Sequence, residues 1–338
     1  MIQRNELQPN SQRRIRRRDL LAGAAFGLAA SSLGSIGSRA ALAIDVDEAP
    51  AEAAGLTAYH CDRQVFVRWN NAAIVSYRAP TSAKYPYFGP LIGPASGISL
   101  TTESSLPYPH QRGVWIGCEP LNGGDYWSDN ALDEGQILSV GPSLGATGNA
   151  YATIDDRCEW IRRNAPSPLE DRRRIIVRVP SEQMYVIDLD IELTAREDLR
   201  IESAKHSFFA LRAAADVSPI GGGVLMNSNG DVGADATFGK PAAWCGYHGP
   251  RRPSKQVEGI AIFNHPENFG GNCPWFTRSY GHLSPSPFNF LSKPWSLAKG
   301  TQLNLKYCIV LHSGTPQEAT LDEVHQEWVS GKGRFVAI

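Results

Sequence analysis

An alternation of apolar and acidic residues at 185–193 constrains the fold more than any other feature. In the segment YVIDLDIEL every second residue is large and apolar, beginning with Tyr185, and Asp188, Asp190 and Glu192 lie between them. Successive side chains of a β-strand point to opposite faces, so this segment predicts a strand with one buried and one solvated face. One-sided strands of this kind are typical of antiparallel sheets.

Further strand-like segments recur along the chain, separated by turns rich in glycine and proline. Two of them flank Asn70-Asn71, a pair whose tolerance of positive φ suits a hairpin turn. Besides 185–193, the predicted strands cover residues 64–69, 73–78, 114–118, 137–140, 159–163, 174–179, 208–212, 258–263 and 303–311. So many short strands predict an all-β fold, an antiparallel sandwich or barrel.

One helix is predicted, at the C-terminus. The sequence TPQE at 315–318 is a capping box with proline at the first helical position. The residues that would form its buried stripe are Ala319, Leu321, Val324 and Trp328.

Residues 1–43 are predicted to be an export signal that is removed from the mature protein. Five arginines between residues 13 and 18 precede a mildly apolar run at 20–37, which ends at the small-residue sequence Ala41-Leu42-Ala43. The sequence RRDLL at 17–21 resembles a twin-arginine signal, and the alternative is an uncleaved membrane anchor. The prediction is a periplasmic or secreted protein with a flexible leader at 44–57 and a single β-sandwich domain at 58–338.

Charge and hydropathy exclude two classes of partner. The formal net charge is −1, and removal of the arginine-rich start makes the chain more acidic, so nucleic acid is not an expected partner. No later segment is long and apolar enough to predict a membrane span. The six cysteines show no close paired spacing, so neither a zinc ribbon nor a redox CxxC is predicted, and no cofactor is assigned.

The stretch 108–127, YPHQRGVWIGCEPLNGGDYW, combines polar and aromatic residues in a way that suits a ligand better than a core. His110 can titrate near neutral pH. Trp127 supplies a flat apolar face of the kind on which sugar rings stack. The residues that can hydrogen-bond hydroxyl groups are Arg112, Asn122 and Asp125.

Three further polar segments, 221–249, 263–271 and 275–290, lie in predicted turns or at strand ends, where binding residues usually occur. They supply a second acid/base candidate, His265. They also supply the substrate-binding candidates Asn227, Lys240, Trp244, Tyr247, Arg278 and Tyr280. We expect the four segments to meet in one pocket, with His110 beside Asp125, His265 and Lys240.

Two rival chemistries have little support from residue spacing. No HxxxH or HExxH motif places two metal ligands on one helix face, so no metal ligands are assigned. The GxSxG motif that marks the nucleophile of many hydrolases does not occur either.

Several motifs resemble the bacterial family DUF6807, also labelled the PmoA family. They occur in the family's order over most of the mature chain: PYFGPLIGP (86–94), PHQRGVWIG (109–117), NGGDYW (122–127), NSNG (227–230), GKPAAWCGY (239–247), IAIFNHPENF (260–269), RSYG (278–281) and SPFNF (286–290). The resemblance implies a large galactose-mutarotase-like β-sandwich in a secreted protein of carbohydrate catabolism. A subunit of methane monooxygenase is not predicted, because the sequence has neither a bundle of spanning helices nor a cluster of copper ligands.

The candidate residues of all four segments fall on matching motifs of this family, but three neighbouring positions depart from it. Gln111 stands where a second histidine is common, and Gly246 and Asn264 each stand where an aspartate is common. Each departure removes a titratable group, which favours binding without turnover.

These observations predict an exported enzyme that acts on a small carbohydrate by acid/base chemistry, through epimerisation, hydrolysis or β-elimination. His110 is the first candidate for the acid or base, with Asp125 or His265 as its complement. The alternatives are a non-catalytic carbohydrate-binding protein of the cell envelope and a metal-dependent lyase or hydrolase.

Overall fold

A computed structural model describes residues 54–128, 131–252 and 254–336, without the side chains of 204–206. These residues all belong to one compact unit. The predicted export signal and the first part of the predicted leader lie outside the described residues. The end of that leader is already ordered as sheet, because the first strand begins at Leu56.

The described residues form eighteen strands and two α-helices. The strands are β1 (Leu56–Cys61), β2 (Gln64–Trp69), β3 (Ala72–Arg78), β4 (Tyr87–Leu91), β5 (Val114–Leu121), β6 (Gln136–Ser139), β7 (Ser143–Gly148), β8 (Tyr151–Ile161), β9 (Leu169–Ser181), β10 (Met184–Ala195), β11 (Leu199–Arg212), β12 (Val224–Asn227), β13 (Trp244–Pro250), β14 (Val257–Asn264), β15 (Trp275–Thr277), β16 (His282–Pro285), β17 (Trp295–Leu297) and β18 (Gln302–Ser313). The helices are α1 (Ala234–Thr237) and α2 (Leu321–Ser330).

The strands make two antiparallel sheets of nine strands each. The first has the order β1-β2-β3-β4-β5-β11-β16-β15, with β17 also paired to β11. The second has the order β12-β13-β14-β18-β10-β9-β8-β6, with β7 also paired to β8. One hydrophobic core contains buried side chains from both sheets, so the predicted antiparallel β-sandwich is confirmed.

The alternating segment at 185–193 lies within β10, at the centre of the second sheet. Ile187, Leu189 and Ile191 are buried in the core, whereas Asp190 is exposed on the outer face. Hydrogen bonds to β9 on one side and β18 on the other fix the register of this strand. The prediction of a one-sided strand is therefore confirmed.

The other predicted strands exist, with some shifted boundaries. Asn70 and Asn71 both have positive φ, 44° and 65°, and form the hairpin between β2 and β3. The predicted strand at 159–163 is the end of β8, and the one at 208–212 is the end of the fourteen-residue β11. Polar residues interrupt the apolar pattern in the first halves of β8 and β11, so the sequence pattern predicts only the second half of each strand.

The C-terminal helix is confirmed, but it begins later than predicted. The capping-box residues Thr315 and Glu318 do hydrogen-bond each other, through Glu318 Oε2 and the backbone N–H of Thr315 at 2.7 Å. They close a turn, and α2 itself starts at Leu321 after Thr320, whose φ of 51° breaks the helical path. The helix covers a second hydrophobic cluster on the outer face of the second sheet, where it buries Val324 and Trp328.

Among the described residues, no helix is both long enough and apolar enough to cross a membrane. None of the six cysteines, all of which are described, forms a disulfide. Cys61 is exposed and the other five are buried.

Candidate functional site

Three chain segments meet at one end of the first sheet, where β5 begins, β11 ends and β16 begins. The register places Leu211 opposite Val114 and Arg212 opposite His282, so the segment before β5 and the turn before β16 flank the end of β11. We call this group of side chains the Tyr108–Tyr280 cluster. Its members are Tyr108, His110, Gln111, Arg212, Tyr280 and His282.

A glycine allows the segment before β5 to approach the rest of the sheet. Gly113 has a φ of 55°, and a Cβ at this position would lie 1.8 Å from the carbonyl oxygen of Phe88 on β4. Only glycine adopts this conformation at this separation without strain. The backbone carbonyl of Gly113 also accepts a hydrogen bond from the N–H of Arg212 at 2.7 Å, which joins the segment to β11.

Arg212 is the charged centre of the cluster. The residue is only 5% exposed, and its Nη1 donates a hydrogen bond to Oε1 of Gln111 at 2.6 Å. The guanidinium carbon lies 4.5 Å from the centroid of the Tyr280 ring, within cation–π distance. Nε has no hydrogen-bond partner, and burial lowers the pKa of Arg212.

Two tyrosine rings form the outer part of the cluster. The centroids of Tyr108 and Tyr280 are 5.2 Å apart, with 32° between the ring planes, and the His110 ring lies 6.0 Å from that of Tyr108. Tyr108 is 38% exposed and Tyr280 is half-buried. Burial raises the pKa of Tyr280, so its phenol stays protonated at neutral pH, and Gln111 hydrogen-bonds it.

Beneath these residues the cluster joins the core through His282. This histidine is 1% exposed, and its ring contacts those of Trp115 and Trp127 at centroid distances of 5.8 and 6.0 Å. The Tyr247 hydroxyl fixes the turn before β16 by hydrogen bonds to the carbonyl oxygens of Arg278 and His282, at 2.7 and 2.8 Å. The turn that carries Tyr280 is therefore held by buried contacts.

The structure brings six of the predicted site residues into or next to this cluster. His110 and Tyr280 are members, and Tyr247 anchors the turn. Arg112 follows Gln111 on the exposed side, where its Nε donates to Ser104 Oγ at 3.3 Å. The remaining two residues are Arg278, whose guanidinium packs on the Phe276 ring at 4.0 Å, and the core residue Trp127. Trp127 is 0% exposed, so the predicted stacking on a sugar finds no open face there.

Two predicted residues lie beyond the opposite end of β5. Asn122 Nδ2 donates to the carbonyl oxygen of Asp198, and its Oδ1 accepts from the N–H of Arg200 at 2.7 Å. Asp125 Oδ1 accepts hydrogen bonds from the backbone N–H groups of Trp127 and Ser128, both at 2.8 Å. Both side chains thus hold the local backbone around the start of β11 and the loop after β5.

The other predicted residues belong to the second sheet or its connections. Asn227 Nδ2 donates to Asp231 Oδ2 at 2.9 Å and closes the loop after β12. Trp244 is 3% exposed beneath α2, where its Nε1 donates to Asp322 Oδ1 at 2.7 Å. Lys240 is exposed, and its carbonyl oxygen accepts from the N–H of Trp275 at 3.2 Å.

His265 follows β14 and lies under α2. Its ring is 5.1 Å from that of Trp328, and its Nδ1 accepts from the backbone N–H of Glu267 at 3.2 Å. Burial, followed by the positive charge of Lys306, lowers the pKa of His265. The structure therefore does not join His265, Asp125 and Lys240 to His110, and the expected single pocket of these four residues is not formed. His265 and Lys240 are separated from His110 because they belong to the second sheet or its connections, and Asp125 is separated because it lies beyond the other end of β5.

Sequence reasoning missed four members of the cluster as binding residues: Tyr108, Gln111, Arg212 and His282. In the sequence, Gln111 is a departure from a family motif and Arg212 is the end of a predicted strand, and neither pattern marks a binding residue. An arginine that ends an apolar strand is a weak signal, since a solvated strand end has the same pattern. The pairing of Arg212 with Gln111 spans a hundred residues and follows from sheet order alone.

A separate groove of about 560 Å³ lies across β8, β9, β10 and β18 of the second sheet. Acidic and basic residues alternate between neighbouring strands on its surface, as where Asp190 lies between Lys306 and Arg174 in the register. Opposite charges in adjacent positions compensate each other. The groove thus lacks the buried unpaired charge that marks the Tyr108–Tyr280 cluster. In the part of the chain that the structure describes, no three His, Cys, Asp or Glu side chains are grouped closely enough to hold a metal ion.

Comparison with known proteins gives a match to one family model. The model described as "Family of unknown function (DUF6807)" matches residues 57–326, so the predicted resemblance to this family is confirmed. The description gives no support for the PmoA label. No curated protein is similar enough to the chain to count as a match.

Three solved structures are similar to the chain at low identity. Galactose 1-epimerase from Lactobacillus acidophilus NCFM is 10% identical with a TM-score of 0.37, over 78% of this chain and 100% of that one. A galactose mutarotase related enzyme from Lactobacillus acidophilus is 8% identical with a TM-score of 0.31, over 77% and 98%. The GalM/aldose epimerase homologue from C. elegans is 10% identical with a TM-score of 0.31, over 77% and 96%.

Proposed function

We propose that this chain, which belongs to the DUF6807 family of unknown function, binds carbohydrate at the Tyr108–Tyr280 cluster and acts on it there. The observation that carries the proposal is the pair of partly exposed tyrosine rings, 5.2 Å apart, next to the imidazole of His110 and the buried Arg212. A sugar presents an apolar C–H face that packs on aromatic rings, and its hydroxyls require nearby donors and acceptors. The cluster supplies both.

The chemistry would depend on His110. Epimerisation, hydrolysis and β-elimination each require a group that removes a proton and a group that supplies one, within hydrogen-bond reach of the substrate. An imidazole can do either near neutral pH. Tyr280, whose pKa is raised by burial, is a protonated phenol that can donate a hydrogen bond to a sugar oxygen.

A second candidate function is binding without turnover, and one observation favours it. The two complements predicted for His110 are placed elsewhere: Asp125 accepts hydrogen bonds from its own loop, and His265 lies beneath α2. Gln111, the residue next to His110, has a neutral amide that hydrogen-bonds Arg212. Catalysis would therefore need Tyr280 or a bound water as the second proton-transfer group.

We test binding first by thermal unfolding in the presence of mono- and disaccharides, including keto-sugars. A ligand that binds only the folded state raises the unfolding midpoint. Tyr108→Ala should weaken binding roughly 2- to 10-fold, as expected for loss of one aromatic contact. Tyr59→Ala is a matched control, because Tyr59 is 37% exposed on β1 at the far edge of the same sheet. Equal binding by both variants would contradict the proposed site.

Turnover is tested on any sugar that binds, by following it with NMR. His110→Gln should keep the binding and lose the conversion if the protein is an enzyme. If wild-type protein binds a sugar but leaves it unchanged over days, the function is binding alone.

We also propose that the protein is exported, on the basis of the arginine-rich start and the Ala41-Leu42-Ala43 sequence. Fractionation of cells that produce the full chain tests this. Retention in the cytoplasm at full length would reject it.

A further inference from the structure

Arg212 differs from Arg173 and Arg251, two other arginines that are almost completely buried. Arg178, at 8% exposed, also has an Nε without a partner, but the charged group that influences it most is a carboxylate, that of Asp188. Arg173 Nε lies 2.7 Å from Asp171 Oδ1. Arg251 lies 3.3 Å from each of two carboxylates, Glu258 and Asp216. No carboxylate of residues 54–128, 131–252 or 254–336 forms an ion pair with Arg212, and the tyrosines around it are neutral at pH 7.

An unpaired guanidinium at this depth is unfavourable by itself. Removing a charge from water costs several kcal/mol unless an opposite charge compensates it. Arginine does not avoid the cost by losing its proton, since the guanidinium stays charged throughout the physiological pH range. A bound anion would supply the missing charge.

The geometry of the side chain suits a two-point contact with such an anion. Stacking on Tyr280 at 4.5 Å and the Nη1 hydrogen bond to Gln111 at 2.6 Å fix the plane of the guanidinium. The remaining edge consists of Nη2 and of Nε, which is buried from solvent and has no partner, so a ligand would approach from the Nη2 side. This is the edge with which arginine binds the two oxygens of a carboxylate.

The surroundings fit one negative charge. The groups next to Arg212 are the neutral amide of Gln111, the tyrosines Tyr108 and Tyr280 and, opposite it on β16, the imidazole of His282. Arg278 does not add a second charge at the same point, because its guanidinium packs between the rings of Phe276 and Phe238, at 4.0 and 5.0 Å. A single guanidinium balances a monoanion and leaves a phosphate dianion partly uncompensated.

We infer that the ligand of the Tyr108–Tyr280 cluster is a sugar acid, a uronate or aldonate, whose carboxylate is bound by Arg212. This inference rests on the proposed carbohydrate site and deepens it by naming the substrate class. The sugar ring or chain packs on Tyr108 and Tyr280, and the carboxylate forms a charge-assisted pair with the Nε and Nη2 edge.

The test measures binding of matched ligand pairs by titration calorimetry: glucuronate with glucose, galacturonate with galactose, and gluconate with sorbitol. At least one acid should bind about 10- to 100-fold more tightly than its neutral partner, the size of a hydrogen-bonded charge interaction. Glucose 6-phosphate is the phosphate probe. Binding of this ester as tight as that of the best acid would overturn the assignment of a carboxylate.

Two variants test whether Arg212 is the residue that causes the preference for the acid. Arg212→Gln should abolish the preference for the acid. Gln111→Glu should do the same by a different route, because it gives Arg212 an internal carboxylate that competes with the ligand. Arg200→Gln, at the exposed start of the same strand, is the control and should keep the preference. If both site variants fold, by circular dichroism, and still prefer the acid, Arg212 is not the binding residue.

The outcomes separate this inference from the proposed function. If wild-type protein binds acid and neutral sugars equally well, the sugar-acid inference fails and the carbohydrate site stands. If it binds neither, both fail.

Discussion

The setting of Arg173 in the core and that of Arg212 in the Tyr108–Tyr280 cluster differ in what compensates a buried charge. Arg173 donates hydrogen bonds to both carboxylate oxygens of Asp171, from Nε at 2.7 Å and from Nη2 at 3.1 Å. Its Nη1 also donates to the Tyr77 hydroxyl at 3.2 Å. Arg212 has one neutral partner, Gln111, and an unpaired Nε. The first arrangement pairs the charge within the protein, whereas the second leaves it without an opposite charge among the described residues.

The core network extends from Arg173 into both sheets. The Tyr77 hydroxyl on β3 donates to Asp156 Oδ2 on β8 at 2.7 Å, and Trp160 Nε1 donates to Asp171 Oδ2 at 2.7 Å. Every charge in this network has an opposite charge or a donor facing it. Such networks hold two sheets in one relative position, and their donors, acceptors and charges are already used within the protein.

The largest expected effect on the free energy of unfolding comes from breaking the buried ion pair between Asp171 and Arg173. Asp171→Asn leaves Arg173 buried without its counter-charge and should lower the free energy of unfolding by roughly 3–5 kcal/mol. Urea denaturation measures the change. The control is Glu202→Gln, which removes the partner of the exposed Arg200 and should cost less than about 1 kcal/mol. Equal losses of unfolding free energy in the two variants would show that burial does not determine how much an ion pair contributes to stability.

The same comparison applies to His312, a buried base that, unlike arginine, can avoid the cost of burial by losing its proton. Burial lowers the pKa of His312 from 6.5 to about 4, so the folded state keeps this histidine neutral where the unfolded chain begins to protonate it. The unfolded state binds more protons between these values, so stability is full above pH 6.5 and falls as the pH drops towards 4. The loss should be on the order of 3 kcal/mol.

The measurement is the free energy of unfolding between pH 7.5 and 4 for wild type and two variants. His312→Gln should make the dependence shallower, with the remaining slope due to other buried histidines such as His265, whereas His60→Gln, at an exposed position of β1, should leave it unchanged. A wild-type curve that is already flat across this range would contradict the burial argument for His312.

The smallest expected effect on the free energy of unfolding comes from replacing Arg212 in the Tyr108–Tyr280 cluster. Without ligand, Arg212→Met removes a charge that nothing in the described protein compensates, so the free energy of unfolding should stay within about 1 kcal/mol of wild type or rise. Arg173→Met is the matched substitution and should cost several times more, since it leaves Asp171 unpaired. If Arg212→Met destabilises the free protein as much as Arg173→Met, Arg212 is a structural residue and the comparison fails.

The candidate site was only partly predictable. The sequence predicts His110 as the acid or base and Tyr280 as a substrate-binding residue, and the two lie in one cluster. Asn122, Asp125, Asn227 and Trp244 have the same chemical character, yet each hydrogen-bonds a neighbouring loop or helix. A polar side chain in a turn has the same sequence pattern whether it holds backbone or binds a ligand.

The sequence by itself determined the elements whose signals are local. The alternation at 185–193 specified a one-sided strand because side-chain direction reverses at each residue, and Asn70-Asn71 specified a hairpin because asparagine tolerates positive φ. The spacing of Leu321, Val324 and Trp328 specified the buried face of α2. Only the tertiary structure decided that Gln111, Arg212 and Tyr280 meet, because antiparallel pairing of β11 with β5 and β16 joins segments far apart in the chain. Among the described residues Arg212 has no carboxylate partner, and no single segment of the sequence shows this, because it depends on which segments the sheet brings together.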